Sequence, residues 1–121
     1  MSDAFASFEG HKYLLLTTFR RNGEGVPTAV WFVAMGGALG VFTSLHTGKV
    51  KRLGRESRVR IAPCSFRGRV KGEAEEGVGR LVTGEAAVRI EAALASKYGW
   101  LFRMIARRHA EHAFIEITPK G

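Results

Sequence analysis

The pair Asn22-Gly23 constrains this chain more than any other feature, because it joins two runs that read as strands. Lys12 to Phe19 is rich in β-branched, aromatic and leucine residues, and Val26 to Ala34 follows with Pro27 near its start. Asn-Gly between two such runs is the strongest short-range hairpin signal, since both residues tolerate positive φ. Pro27 is tolerated at a strand's opening, where a missing N–H costs little. Gly36-Gly37 marks a second tight turn and returns the chain through Leu39 to Ser44, so the first third predicts a three-stranded meander.

The remainder continues the pattern. Arg58 to Pro63 predicts a strand, with Val59 and Ile61 on one face and Arg58 and Arg60 on the other. Ser65 to Glu73 reads as a loop, and Glu75 to Val82 as a less regular strand. Thr83 is placed to cap a helix running to Lys97. Tyr98-Gly99 breaks that helix, Trp100 to Arg108 forms another, and Ala113 to Thr118 closes the chain as a strand. Met1 to His11 is a short lead-in anchored by Phe5 and Phe8. About six strands in 121 residues favour a small barrel, because closure removes exposed edges. The expectation is one mainly-β domain over residues 1–121, a β-barrel carrying helices.

Between the third strand and the next lies Val41 to Arg55, where an apolar strand end runs through hydroxyls and a glycine into a short basic helix. Thr47 or His46 is placed to cap it, and Gly48 leaves room for a ligand near the first free backbone N–H groups. A helix start favours an anion through those donors and its partial positive charge. Lys49 and Arg52 are three apart and share a face, while Val50 and Leu53 are placed to anchor the helix to a core. Thr43, Ser44, Thr47, Gly48, Lys49 and Arg52 are therefore candidate phosphate-binding residues. A solvated basic helix face would show the same spacing.

Charge supports an anionic ligand. The net charge is +8, and the run from Lys49 to Lys71 holds nine basic residues against Glu56 alone, which equals the whole excess. Such a run suits a phosphorylated cofactor, nucleic acid or a membrane surface. Nucleic-acid binding by stacking would want aromatics among the cations, and the run contains only Phe66, so no specific nucleic-acid partner is expected. Arg67-Gly68-Arg69 reads as a hairpin loop. No apolar run is long enough to span a membrane, and Met1 to Gly10 lacks a signal-peptide layout, so no membrane partner and a cytoplasmic location are expected. Cys64 is the single cysteine, which excludes an internal disulfide, and it reads as a small buried apolar residue. His109 and His112 are three apart, but no cysteine pair or carboxylate cluster completes a metal site. Glycine-rich dinucleotide and nucleotide-triphosphate loops are absent.

Taken together, Lys12 to Arg20, Val26 to Trp31, Phe42-Thr43, Gly48 to Leu53 and Arg58 to Cys64 resemble, in that order, the pyridoxamine-phosphate-oxidase-like split β-barrel superfamily. The resemblance is to its deazaflavin-dependent branch, and Lys97-Tyr98-Gly99 and the last strand are consistent with it. It implies an FMN-binding-like split barrel, a homodimer with cofactor sites at the interface, and hydride transfer from reduced coenzyme F420 to a small-molecule substrate. The phosphate would fall on Thr43, Ser44, Lys49 and Arg52. The planar ring would lie along the strand holding Val26, Pro27 and Trp31, near Ala62 and Pro63. Trp31 would equally suit plain core packing. Other members of the superfamily bind FMN or a tetrapyrrole, which stand as alternatives; a basic nucleic-acid-binding barrel is the rival from another class. No side chain stands out as a general acid.

Overall fold

The structure, a computed structural model, describes residues 5–45, 47–108 and 112–120, the side chains of Arg107 and Arg108 excepted. Six antiparallel strands close a barrel: β1 Tyr13–Phe19, β2 Gly25–Ala34, β3 Leu39–Ser44, β4 Arg58–Cys64, β5 Glu75–Val82 and β6 His112–Pro119. Around the barrel the order is β1-β2-β3-β6-β5-β4, with β4 returning to β1. Helix α1, Gly48–Arg55, separates β3 from β4; α2, Gly84–Tyr98, and α3, Trp100–Arg108, separate β5 from β6. A 3-10 turn over Ala6–Phe8 precedes β1.

The first hairpin forms where Asn22-Gly23 places it, but with a longer loop than the pair alone implies. Phe19 faces Gly25 in the last cross-strand pair, leaving residues 20–24 as the loop. Gly23 takes φ 89° and its N–H donates to the Arg20 carbonyl at 2.9 Å. Asn22 uses its side-chain oxygen to accept from the Glu24 N–H at 2.9 Å, an Asx turn rather than a two-residue hairpin loop.

Alternation along the strands sorts side chains into two cores. Leu14, Leu16, Phe32, Val41, Ile61 and Ile115 point inward and fill the barrel. Val33 and Phe42 point outward and meet Ile90, Leu94 and Phe102 from α2 and α3. Gly40 permits this second layer: a Cβ there would lie 2.8 Å from Ile90 Cγ2. A Gly40→Ala change would overpack that contact, at a cost of about 1–3 kcal/mol.

The end of α2 is fastened by Lys97 and Tyr98. The Lys97 ammonium donates to the carbonyls of His11 (2.7 Å) and Phe32 (2.8 Å) and sits 3.7 Å from the Phe32 ring centroid. The Tyr98 hydroxyl lies 2.6 Å from the Lys12 carbonyl and accepts from the Phe32 N–H at 3.2 Å. Helix α2 runs through Tyr98, and Gly99 alone ends it, at φ 67°.

Candidate anion-binding site

Helix α1 is amphipathic with an unusual buried face. Leu53 reaches the barrel, but the residue one turn earlier on that face is Lys49, which is only 9% exposed, while Val50 is half-buried. The expected solvated position for Lys49 is thus corrected: the i, i+4 pair Lys49/Leu53 faces inward, and its stem packs where an apolar residue was expected. Burial, and then the Arg52 charge, push the Lys49 ammonium below the usual lysine range. Among the described residues it has no hydrogen-bonding or ion-pairing partner.

The cap is also different from expectation. Thr47 occupies the N-cap position, yet its hydroxyl donates backward to the Ser44 carbonyl at 3.1 Å and makes no cap hydrogen bond. The alternative cap, His46, lies outside the described residues. Among the described residues the first N–H groups of α1 therefore have no side-chain acceptor, the condition in which a helix start attracts an anion. Thr83 likewise precedes α2 without a side-chain cap bond.

Beside this helix start lies a cleft of about 320 Å³ lined by Arg20, Arg21, Gly48, Lys51, Arg52 and Arg55. Five of these six carry positive charge and none is acidic. Arg52 is aimed by Thr18, whose buried hydroxyl accepts from Nε at 2.6 Å. Its guanidinium folds back over the first turn, so a Cβ on Gly48 would lie 2.7 Å from Nη1. The space at Gly48 thus admits the arginine that would meet a ligand. Arg55 reaches the Phe19 carbonyl at 3.4 Å, and Arg20 pairs with exposed Glu24 at 3.2 Å. Burial, then Arg20 and Arg55, lower the Arg52 pKa, so the cations raise one another's energy and an incoming anion would relieve it.

The candidates read from sequence divide into three groups. Gly48 and Arg52 line the cleft, with Thr47 and Lys49 on the same helix start. Thr43, buried, and Ser44 end β3, opposite Ala113 and His112. Val26 and Pro27 open β2 opposite Thr18 and Thr17, while Ala62 stands in a cross-strand row with Leu15 and Ala29 on the barrel's outer face. Pro63 shares the inner row of Leu14 and Val30 and is buried. Trp31 stacks on Tyr98, with centroids 4.5 Å apart and planes 16° apart, and adjoins Phe102, the packing role allowed for it.

Sequence reasoning missed Thr18, Arg20 and Arg21 and gave Lys51 and Arg55 no specific role. The signal for Arg20 and Arg21 was present, two cations beginning a hairpin loop, but nothing local says which end of the barrel that loop shares. The run from Lys49 to Lys71, in turn, is not one patch. Arg58 and Arg60 lie over Phe19, with Arg60 3.7 Å from Glu76, leaving Lys51, Arg52 and Arg55 as its share of the cleft lining. A larger cleft of about 580 Å³ lies between the 3-10 turn, β2 and α2, but its one cation, Lys97, is already bonded to carbonyls. Of the His109/His112 pair, His109 lies outside the described residues.

No protein-family model matches the chain, and no curated protein matches it in sequence. Solved structures do. The heme storage protein HutZ of Vibrio cholerae superposes with a TM-score of 0.76 at 16% identity, over 96% of this chain and 87% of that one. The conserved hypothetical protein Rv2991 of Mycobacterium tuberculosis gives 0.73 at 21% identity, over 100% and 82%. A candidate pyridoxamine 5'-phosphate oxidase of Listeria innocua gives 0.67 at 17% identity, over 96% and 90%. At these identities the likeness concerns the fold, and the fold is that of the pyridoxamine-phosphate-oxidase-like split β-barrels.

Proposed function

We propose that this protein binds a reduced deazaflavin, coenzyme F420, and serves hydride transfer to a small organic substrate. The observation that carries this reading is the cleft beside α1, where five cations face one another with no acid in the lining. A lone phosphate carries at most two charges, and one helix start with one arginine would hold it. The additional cations Arg20, Arg21, Lys51 and Arg55 suit a ligand whose phosphate continues into an acidic tail. FMN has the phosphate without that tail.

In this reading the α1 N–H groups, Lys49 and Arg52 hold the phosphate, with hydroxyls of Thr43, Ser44 or Thr47 as further partners. Thr18 positions Arg52. Pro27 on the outer face, beside the buried Ala62, offers the surface for the planar ring, while Val26 and buried Pro63 back it from the inner row. When bound, the deazaflavin supplies the hydride; the protein orients it and provides a positive field. The substrate is a small organic acceptor.

The test is titration of the purified chain with F420, FMN and hemin at low and at physiological salt. Tighter binding of F420 than of FMN, weakening as salt rises, is expected. Tighter FMN binding would transfer the site to a flavin. A saturable hemin complex that excludes F420 would favour the tetrapyrrole alternative, the ligand named for HutZ and for a structurally similar Mycobacterium smegmatis protein.

A further inference from the structure

Helix α3 buries Phe102 against Phe42 and Trp31 but leaves a second apolar stripe outside. Trp100 is 72% exposed, Met104 41% and Leu101 39%. Met104 is one turn from Trp100 and three residues from Leu101, so it joins the two into one exposed apolar surface. The charged residues of this helix are Arg103, Arg107 and Arg108, and it contains no acid. Solvent-facing tryptophan and methionine cost solubility unless something covers them.

We propose that α3 docks this protein on an anionic membrane surface, lying in the plane of the interface with Trp100, Leu101 and Met104 inserted among the headgroups. Charge complementarity selects this occupant. A second copy presenting the same helix would bring arginine against arginine. An anionic lipid surface attracts those arginines while its acyl boundary accepts the apolar stripe. Tryptophan suits that boundary because its ring is apolar and its N–H polar. No helix among the described residues is long and apolar enough to cross a membrane, and α3, at nine residues, lies on the surface instead.

The experiment is co-sedimentation of the full chain with vesicles of phosphatidylcholine alone and of phosphatidylcholine with phosphatidylglycerol in equal parts. Expected are binding to the anionic vesicles only, a blue shift of tryptophan emission, and loss of both in the double variant Trp100→Ser/Met104→Ser. Arg103→Gln should weaken partitioning about fivefold. Both variants change exposed positions, and an unchanged thermal melt shows that they fold. Undiminished vesicle binding by the double variant would overturn the proposal, because the cationic cleft would then account for it. So would the absence of binding to anionic vesicles, or a self-associated wild type that the double variant dissociates.

Discussion

Lys49 shows how one residue can oppose stability and serve a site. Its side chain is largely buried and, among the described residues, has no countercharge, so its pKa lies below 10.5 in the folded chain and the charged form is disfavoured there. Lys49→Met keeps the stem and removes the charge, and is expected to raise stability by about 1 kcal/mol in urea denaturation. The same variant should lose roughly ten- to a hundred-fold in F420 affinity, the value of a charge-assisted hydrogen bond. A stability loss with unchanged affinity would make Lys49 a packing residue. Gly48→Ala tests the neighbouring arrangement. The added methyl would meet Arg52 Nη1, a flexible end that can swing away, so the melting temperature should hold while affinity falls several-fold. Fluorescence titration beside a thermal melt separates the two effects.

Among the elements, the end of α2 has its own pH signature. Burial brings the Lys97 pKa down to about 8, against 10.5 in the unfolded chain. Below pH 8 the lysine is charged in both states. Between about 8 and 10.5 the unfolded chain holds more protons, so stability rises with pH across that window. The neutral amine still has two N–H groups for the His11 and Phe32 carbonyls, so deprotonation need not break the clasp. Tyr98 works the other way. Burial is the main cause raising its pKa to about 12, so its contribution declines only above pH 10. Urea midpoints at pH 7.5 and 9.5 should therefore increase for the wild type, and the increase should shrink in Lys97→Met. An equal increase in both would assign the pH dependence to Lys49, whose pKa is also lowered.

At the scale of the molecule, closure of the barrel changes the case for a homodimer. Every strand pairs on both sides, so unpaired edges do not demand a partner. What remains is an outer face on β1 and β4: Phe66 is 73% exposed and packs edge-on against Tyr13, Val70 is 52% exposed, and Tyr13 and Leu15 are half-exposed. We propose that a second copy covers this face, and sedimentation at low micromolar concentration should show twice 13.3 kDa. Phe66→Ser should shift the equilibrium toward monomer without unfolding the chain. A monomeric wild type would remove the dimer.

Strand and helix order could be read in advance because period-two alternation, glycine turns and helix breaks act over neighbouring residues. Leu39–Ser44 and Glu75–Val82 appear at the expected limits, and the other strands agree within one or two residues. Gly23, Gly36-Gly37 and Gly99 each turn or stop the chain through their own backbone freedom, and Asn22 through its side-chain bond to the Glu24 N–H. The helix start at Gly48 was legible because its signals, too, lie in neighbouring residues. Composition of the cleft was not, because charge adds in space and not along the chain. Closing β4 onto β1 and packing α1 against β1 and β5 brought Arg20 and Arg21 to Lys51, Arg52 and Arg55, and sent Arg58 and Arg60 to Phe19. The burial of Lys49 and the turning of Thr47 away from the helix were decided there too. Each depends on which surface α1 meets, and that surface exists only once distant strands have paired.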